Sequence, residues 1–501
     1  MKSLFRLSAC LLGVWAIALS VNAAEAKRYN VLFIAVDDLR PEFGAYGSKI
    51  VKSPNLDALA AKGLVFNRAY CQQAVCSPSR SSLLTGTRPD TTKVWDLETH
   101  FRTALPDVVT LPQHFKNNGY FVQGMGKLYH GGFDDPQSWS TPWQNPKAKQ
   151  YGLDVNNQMG ARKAAAAADE DAPKKKGKGK AKAGTAFNSR GPAFESSDVP
   201  DNTFHDGALA DMAINALREL KEKKQPFWLG VGFIRPHLPF VSPKKYWDMY
   251  DAKTIELAPN PFRPKDAPEY AVQPGGEMRA YDSIPQGHIP DDLARNLKHG
   301  YYAAISYMDA QVGKVVAELE KLGLRDDTII IIWGDHGWKL GEHDAWCKHT
   351  NVELDTHAPL IISVPGQKSA GKKTDALVEF VDIYPSLAEL CGLPLPKHLE
   401  GTSFAPVIQD PAKAWKPAAF SQYPRGVQGK QLMGYTMRTD RYRFTRWIGR
   451  KDHSVVDAVE LYDEKLDPME NTNIANDPKN AKLVAELTEQ WLKGWQGAKP
   501  K

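Results

Sequence analysis

After its first two dozen residues the 501-residue chain has no apolar run long enough to cross a bilayer, which argues against an integral membrane segment in the mature protein. Cysteine is scarce as well: of five, Cys10 sits in the N-terminal apolar stretch. Cys71, Cys76, Cys347 and Cys391 are too widely spaced for a dense disulfide framework. One bridge among Cys71, Cys347 and Cys391 stays open as an expectation. A general basic surface is also missing. The formal charge of +6 is matched by one segment, residues 162–190, with nine Lys/Arg against three acids. The rest of the mature chain is slightly negative, so charge does not point to a nucleic-acid partner. What remains, 42% hydrophobic and 24% charged, is the composition of a folded soluble protein, long enough for a large domain and a smaller one.

The N-terminus carries a secretory signal pattern. Lys2 and Arg6 precede an apolar stretch from about Ala9 to Leu19, and small residues Ala23, Ala24 and Ala26 offer cleavage before Lys27. Leu7-Ser8-Ala9-Cys10 resembles a lipoprotein box only superficially, because the apolar run mostly follows Cys10. Export to the periplasm or the medium is therefore expected. The segment Ala161 to Gly184, rich in Ala, Lys and Gly and free of aromatics, reads as a disordered surface insertion. A tether to anionic polysaccharide is its functional alternative.

Elsewhere strands and helices alternate. Buried strands are expected at Tyr29–Val36, Phe227–Ile234 and Thr328–Trp333, with a weaker one near Tyr120–Val122. Helices are expected from Ser53-Pro54, across Leu209–Leu220, and from about Asp292 to Leu322. This order predicts an α/β fold with a mainly parallel sheet covered on both faces. From about Pro411 short strands (Gly434–Arg438, Tyr442–Trp447) and a closing helix (Ala481–Trp495) predict a smaller unit with an antiparallel sheet.

Polar residues fall at the ends of the apolar runs: Asp37-Asp38, Arg235-Pro236-His237, Asp335-His336, and Lys127 with His130. Open parallel sheets bind ligands beyond the carboxyl ends of their strands, so four strands would deliver these groups to one crevice. Asp37, Asp38 and Asp335 suit a hard cation such as Ca²⁺ or Mg²⁺, while His336 is a less usual ligand for one. An ion there would neutralise an anionic ester.

The segment Cys76-Ser77-Pro78-Ser79-Arg80, followed by Leu84-Thr85-Gly86, resembles the motif of the type I, formylglycine-dependent sulfatases. Arg88-Pro89-Asp90, Gly126-Lys127, Asp335-His336-Gly337-Trp338 and Ser421-Gln422-Tyr423-Pro424-Arg425 extend the resemblance over nearly the whole mature chain, most closely to the iduronate-2-sulfatase branch. It implies an alkaline-phosphatase-like, doubly wound fold and conversion of Cys76 to Cα-formylglycine by a formylglycine-generating enzyme. It also implies one calcium ion on Asp37, Asp38, Cys76, Asp335 and His336. Anion-binding and proton-handling roles fall on Arg80, Lys127, His130, His237 and Lys348, with His237 and Lys348 both open as the donor to the leaving group. The implied substrate is a sulfated saccharide, and the implied activity is sulfuric ester hydrolysis.

The implied organisation is a signal peptide over 1–26, a catalytic domain over 27–410 and a C-terminal subdomain over 411–501. Two other functions fit some of these residues: a phosphodiesterase or phosphonate hydrolase on the same scaffold, and a non-catalytic binder of sulfated glycan. Asp90 and Glu342 read as supporting groups. Arg438, Arg441, Arg443 and Arg446 form a basic stripe, read as a solvated strand face with polymer binding as the alternative.

Overall fold

The computed structural model describes residues 28–157, 190–273 and 275–500. The expected signal peptide (1–26) and basic insertion (161–184) lie outside the described residues.

The apolar runs become the strands of one seven-stranded sheet. In chain order these are β1 (Asn30–Val36), β2 (Leu64–Phe66), β3 (Phe121–Gly126), β4 (Phe227–Phe233), β5 (Thr328–Gly334), β6 (Leu360–Ser363) and β7 (Lys372–Thr374). Their spatial order is β7-β2-β6-β5-β1-β4-β3. The block β5-β1-β4-β3 is parallel throughout, and β6 alone opposes its neighbours β5 and β2. The α/β expectation of a mainly parallel sheet therefore holds, with one strand reversed.

Side chains of β1 alternate between two cores, as the two-residue period of a strand requires. Leu32, Ile34 and Val36 pack with helices α3 (His205–Glu222) and α4 (Asp291–Lys321). Val31, Phe33 and Ala35 face the opposite core, with α2 (Cys76–Thr85) and α5 (Ile383–Leu390). Helix α1 (Pro54–Ala61) begins where Ser53-Pro54 predicts, yet Ser53 is not a side-chain cap. Its hydroxyl accepts from the Gly44 amide and meets the Asp57 carboxylate instead.

The C-terminal segment forms a separate antiparallel meander of β8 (Ala418–Val427), β9 (Lys430–Thr439), β10 (Tyr442–Gly449) and β11 (Val456–Asp463). Met437, Phe444 and Leu461 bury one face of it against Leu487 of α6 (Ala481–Leu492). The basic stripe on this sheet is a solvated face only in part, at Arg441. Arg443 is buried and pairs with Glu470 at 2.6 Å and with Glu353, while Arg438 meets Glu353 at 3.1 Å. Arg441 pairs with Asp463 at 2.6 Å, and Arg446 lies over the Trp491 ring. A buried guanidinium needs such partners, and distant acids supply them.

Cys71, Cys76, Cys347 and Cys391 are all buried free thiols, so the open disulfide expectation is not realised. Among the described residues no helix is long and apolar enough to cross a membrane.

Candidate active site

Four adjacent parallel strands present their carboxyl ends to one crevice. Asp37 and Asp38 follow β1, Asp335 and His336 follow β5, His237 follows β4, and Lys127 follows β3. Backbone hydrogen bonds carry the sheet into these turns: Asp335 N–H donates to Val36 at 3.1 Å, Asp37 N–H to Phe233 at 3.2 Å, and Lys127 N–H to Gly232 at 2.8 Å. Asp38 has a left-handed φ of 59°, sparsely populated for a non-glycine residue. Its N–H donates to Asp335 Oδ1 at 3.0 Å, and its carbonyl accepts from the Tyr301 hydroxyl at 2.7 Å.

Cys76 is the first residue of α2, a helix buried along its whole length. Gly86 ends it in the left-handed conformation that releases the chain after a helix. The helix start sets Cys76 where unpaired N–H groups and the positive dipole end face the crevice. Cys76 Sγ lies 3.4 Å from His336 Nε2 and 3.9 Å from Asp38 Oδ1. One turn later Arg80 reaches Asp37 Oδ1 with Nη2 at 3.0 Å and Asp335 Oδ2 with Nε at 2.9 Å.

The carboxylates and cations interlock. Lys127 Nζ meets Asp37 Oδ2 at 2.5 Å, and Lys348 Nζ meets Asp38 Oδ1 at 2.9 Å. His237 Nε2 stands 3.7 Å from Asp38 and 3.9 Å from Asp37. His130 is half-buried, packs against Phe133, and has an Nδ1 without a hydrogen-bond partner. The structure thus brings all ten sequence-nominated residues to this crevice or its edge, and neither lysine is the solvated side chain an isolated lysine would be. A cavity of about 290 Å³ lined by Asp37, Lys127 and His237, together with Asn145, Lys149 and His205, adjoins them.

Electrostatics follow from this packing. Burial pushes the Asp37 carboxyl up, but Lys127, His237 and Arg80 outweigh it and hold it well below the carboxylate range. Burial prevails at Asp38, whose carboxyl is raised despite Lys348. Burial, aided by Asp37, pushes the Cys76 thiol well up. His130 falls to about 4 through burial and the neighbouring Lys127 charge. Lys348 is raised, the attraction of Asp38 overcoming its burial.

Ligand atoms of Asp37, Asp38, Cys76 and His237 lie within 4.8 Å of one another, as do those of Cys76, Asp335 and His336. The first set is rich in carboxylate oxygen, and the raised Asp38 carboxyl marks a buried negative charge not fully compensated by the protein. The carboxylate oxygens of Asp37, Asp38 and Asp335 fit a hard divalent cation, while the Cys76 thiol and the two imidazoles are softer donors.

Sequence reading missed Glu277, which joins His237 and Lys348 from the irregular stretch before α4. It follows no strand and belongs to no motif, so nothing local marks it. Glu342 forms the kind of salt bridge expected of it, whereas Asp90 touches none of the nominated site residues. Asp90 accepts from Gln422 and Tyr435, and Glu342 pairs with Arg40 at 2.9 Å.

Comparison with known proteins follows the same lines. The family model described as Sulfatase matches residues 29–393, and one described as N-sulphoglucosamine sulphohydrolase, C-terminal, matches 341–496. Iduronate 2-sulfatase of Mus musculus is 35% identical, over 95% of this chain and 97% of that protein. A solved structure in complex with its substrate D-glucosamine-2-N,6-O-disulfate superposes with a TM-score of 0.72 at 21% identity, covering 94% of this chain and 98% of the other. A phosphonate monoester hydrolase of Agrobacterium radiobacter has the same fold, with a TM-score of 0.68 at 23% identity over 93% and 95% of the two chains.

Proposed function

Because the chain belongs to the sulfatase family and is a sulfuric ester hydrolase, we propose that it removes sulfate from a sulfated sugar or polysaccharide, in the manner of iduronate 2-sulfatase. The nucleophile in this reading is a formylglycine made from Cys76, and the metal is calcium. The observation that carries it is the position of Cys76. A single helix start sets it 3.4 Å from His336 and 3.9 Å from Asp38, in a crevice that also holds Arg80, Lys127 and Lys348.

Asp37, Asp38, Asp335 and His336 would hold calcium, which supplies charge that offsets the sulfate's and favours ionisation of a hydroxyl at residue 76. The converted residue supplies, once hydrated, a nucleophile that can release the sulfate it captures, a route closed to serine or a plain thiol.

The chain's own residues do the rest. Arg80, Lys127 and Lys348 surround the sulfate oxygens with fixed positive charge, where charge builds up in the transition state. The ester S–O bond breaks with its electron pair on the sugar oxygen, and His237 Nε2 or Lys348 Nζ gives that oxygen a proton. His130, neutral above about pH 4, is free to take a proton from residue 76 when sulfate departs.

In this account residues 27–410 form the catalytic domain and 411–501 a C-terminal subdomain. Residues 1–26 direct export, and a formylglycine-generating enzyme completes maturation. The test uses purified protein with residue 76 converted and calcium supplied, given sulfated mono- and disaccharides beside matched phosphate and phosphonate esters. Sulfate release from a sugar as the preferred reaction is expected. Preferred phosphoester hydrolysis, or saccharide binding without turnover, contradicts the reading.

A further inference from the structure

Glu277 precedes a single turn, Met278–Ala280, in the irregular chain leading to α4. Its two carboxylate oxygens are divided between an imidazole and an ammonium group. Oε1 stands 3.1 Å from His237 Nε2 and Oε2 stands 2.9 Å from Lys348 Nζ, with the Glu277 side chain 15% exposed. Those two atoms come from unconnected parts of the fold. His237 follows β4, and Lys348 follows the two-residue strand Trp346–Cys347.

Each of these two heads is also held from another side. The second ring nitrogen of His237, Nδ1, donates to the Leu238 carbonyl at 2.6 Å, which leaves Nε2 as the nitrogen facing the crevice. Lys348 Nζ lies 4.8 Å from the centre of the Trp338 ring and 2.9 Å from Asp38 Oδ1. Glu277 faces both heads, as Asp38 does at 3.7 Å from His237 Nε2 and 2.9 Å from Lys348 Nζ, and of the two carboxylates it is the one nearer to His237. An ammonium on a four-carbon stem and an imidazole on a loop need such a fixed acceptor to converge on one point.

Resting on the sulfatase reading, we propose that Glu277 is a positioning residue for proton delivery, holding His237 Nε2 and Lys348 Nζ together at the leaving oxygen. In the step it serves, the S–O bond of the ester breaks and its electron pair stays on the sugar oxygen. One proton passes to that oxygen from whichever of the two held atoms is the donor. Glu277 keeps its own charge throughout and touches neither the sulfate nor the sugar oxygen. Its burial would raise its carboxyl, but Lys348 and His237 outweigh that and keep it ionised.

A group that acts through proton delivery matters in proportion to how badly the leaving group needs a proton. A sugar alkoxide needs one, whereas a nitrophenolate leaves unaided. The experiment compares wild type, E277Q and E277D, each with residue 76 converted and calcium present. The substrates are a sugar sulfate and 4-nitrophenyl sulfate, with the thermal midpoint recorded for each variant. The expected result is a fall in kcat of about 10- to 100-fold for E277Q on the sugar sulfate and only a few-fold on the nitrophenyl ester. E277D, which keeps a shorter carboxylate, regains part of the loss on the sugar ester alone, and this rescue reads the role even where the glutamine variant folds poorly.

Equal losses on both esters, or none on the sugar sulfate, overturn the positioning role while leaving the sulfatase reading intact. A wild-type protein that turns over neither ester overturns that reading and this inference with it.

Discussion

Arg80 and Asp37 form an ion pair of 3.0 Å in which both side chains are almost wholly withdrawn from solvent. A second bond from the same guanidinium, Nε to Asp335 Oδ2 at 2.9 Å, ties the start of α2 to the ends of β1 and β5. One planar fork thus fixes two carboxylates of the proposed metal set relative to residue 76. Lysine cannot reproduce that geometry. R80K is expected to fold and to lose at least about 100-fold in kcat/KM, as removal of a charge-stabilising donor does. R80A leaves two buried carboxylates short of a partner and is expected to lose about 3–5 kcal/mol of stability. Steady-state kinetics and urea midpoints check both variants.

Asp38 predicts the response to metal removal. Its carboxyl is raised by burial even with Lys348 at 2.9 Å, so the protein alone undercompensates the charge there. Dialysis against a chelator is expected to abolish sulfate release, and calcium to restore it. D38N is expected to stay inactive at any calcium concentration. Undiminished activity after rigorous chelation would contradict the metal assignment.

Acid sensitivity of the fold has an identifiable contributor in Glu342. Burial raises its carboxyl, but Arg40 and the Leu340 amide outweigh this and bring it to about 2. Between the ordinary value and about 2 the unfolded chain takes up a proton that the folded chain does not. The stabilisation is therefore complete above about pH 4.5 and lost as pH falls toward 2. A shift of this size corresponds to roughly 3 kcal/mol. The stability difference between wild type and E342Q is expected to shrink by about that amount from pH 7 to pH 2, read from denaturant midpoints across that range.

Arg443 and Arg441 separate structural from surface charge on the C-terminal sheet. Arg443 is buried against Glu470 and Glu353, so R443A is expected to cost about 3–5 kcal/mol. Arg441 sits in solvent beside Asp463, and R441A is expected to leave the thermal midpoint unchanged. Weaker binding of a sulfated polymer by R441A would revive the surface role that the pairing argues against.

These arginines also show where a single sequence stops being legible. Arg438, Arg441, Arg443 and Arg446 look alike as a run of charge. What buries two of them is acids contributed from positions such as Glu353 and Glu470, far away in the chain. Glu277 is hidden for the same reason, since its meaning lies in His237 and Lys348. Asp37, Asp335, His237 and Lys127 were readable because each terminates an apolar run, and parallel strands bring such ends together. The reversed direction of β6 had no comparable local mark, because a short buried strand reads the same either way.

The most direct test of the account is the mass of the tryptic peptide 69–80 from protein matured in its native host. The account predicts a peptide in which one sulfur and two hydrogens of Cys76 are replaced by one oxygen, the composition of formylglycine, in protein that releases sulfate. Full sulfatase activity from protein whose Cys76 is wholly unmodified would contradict it.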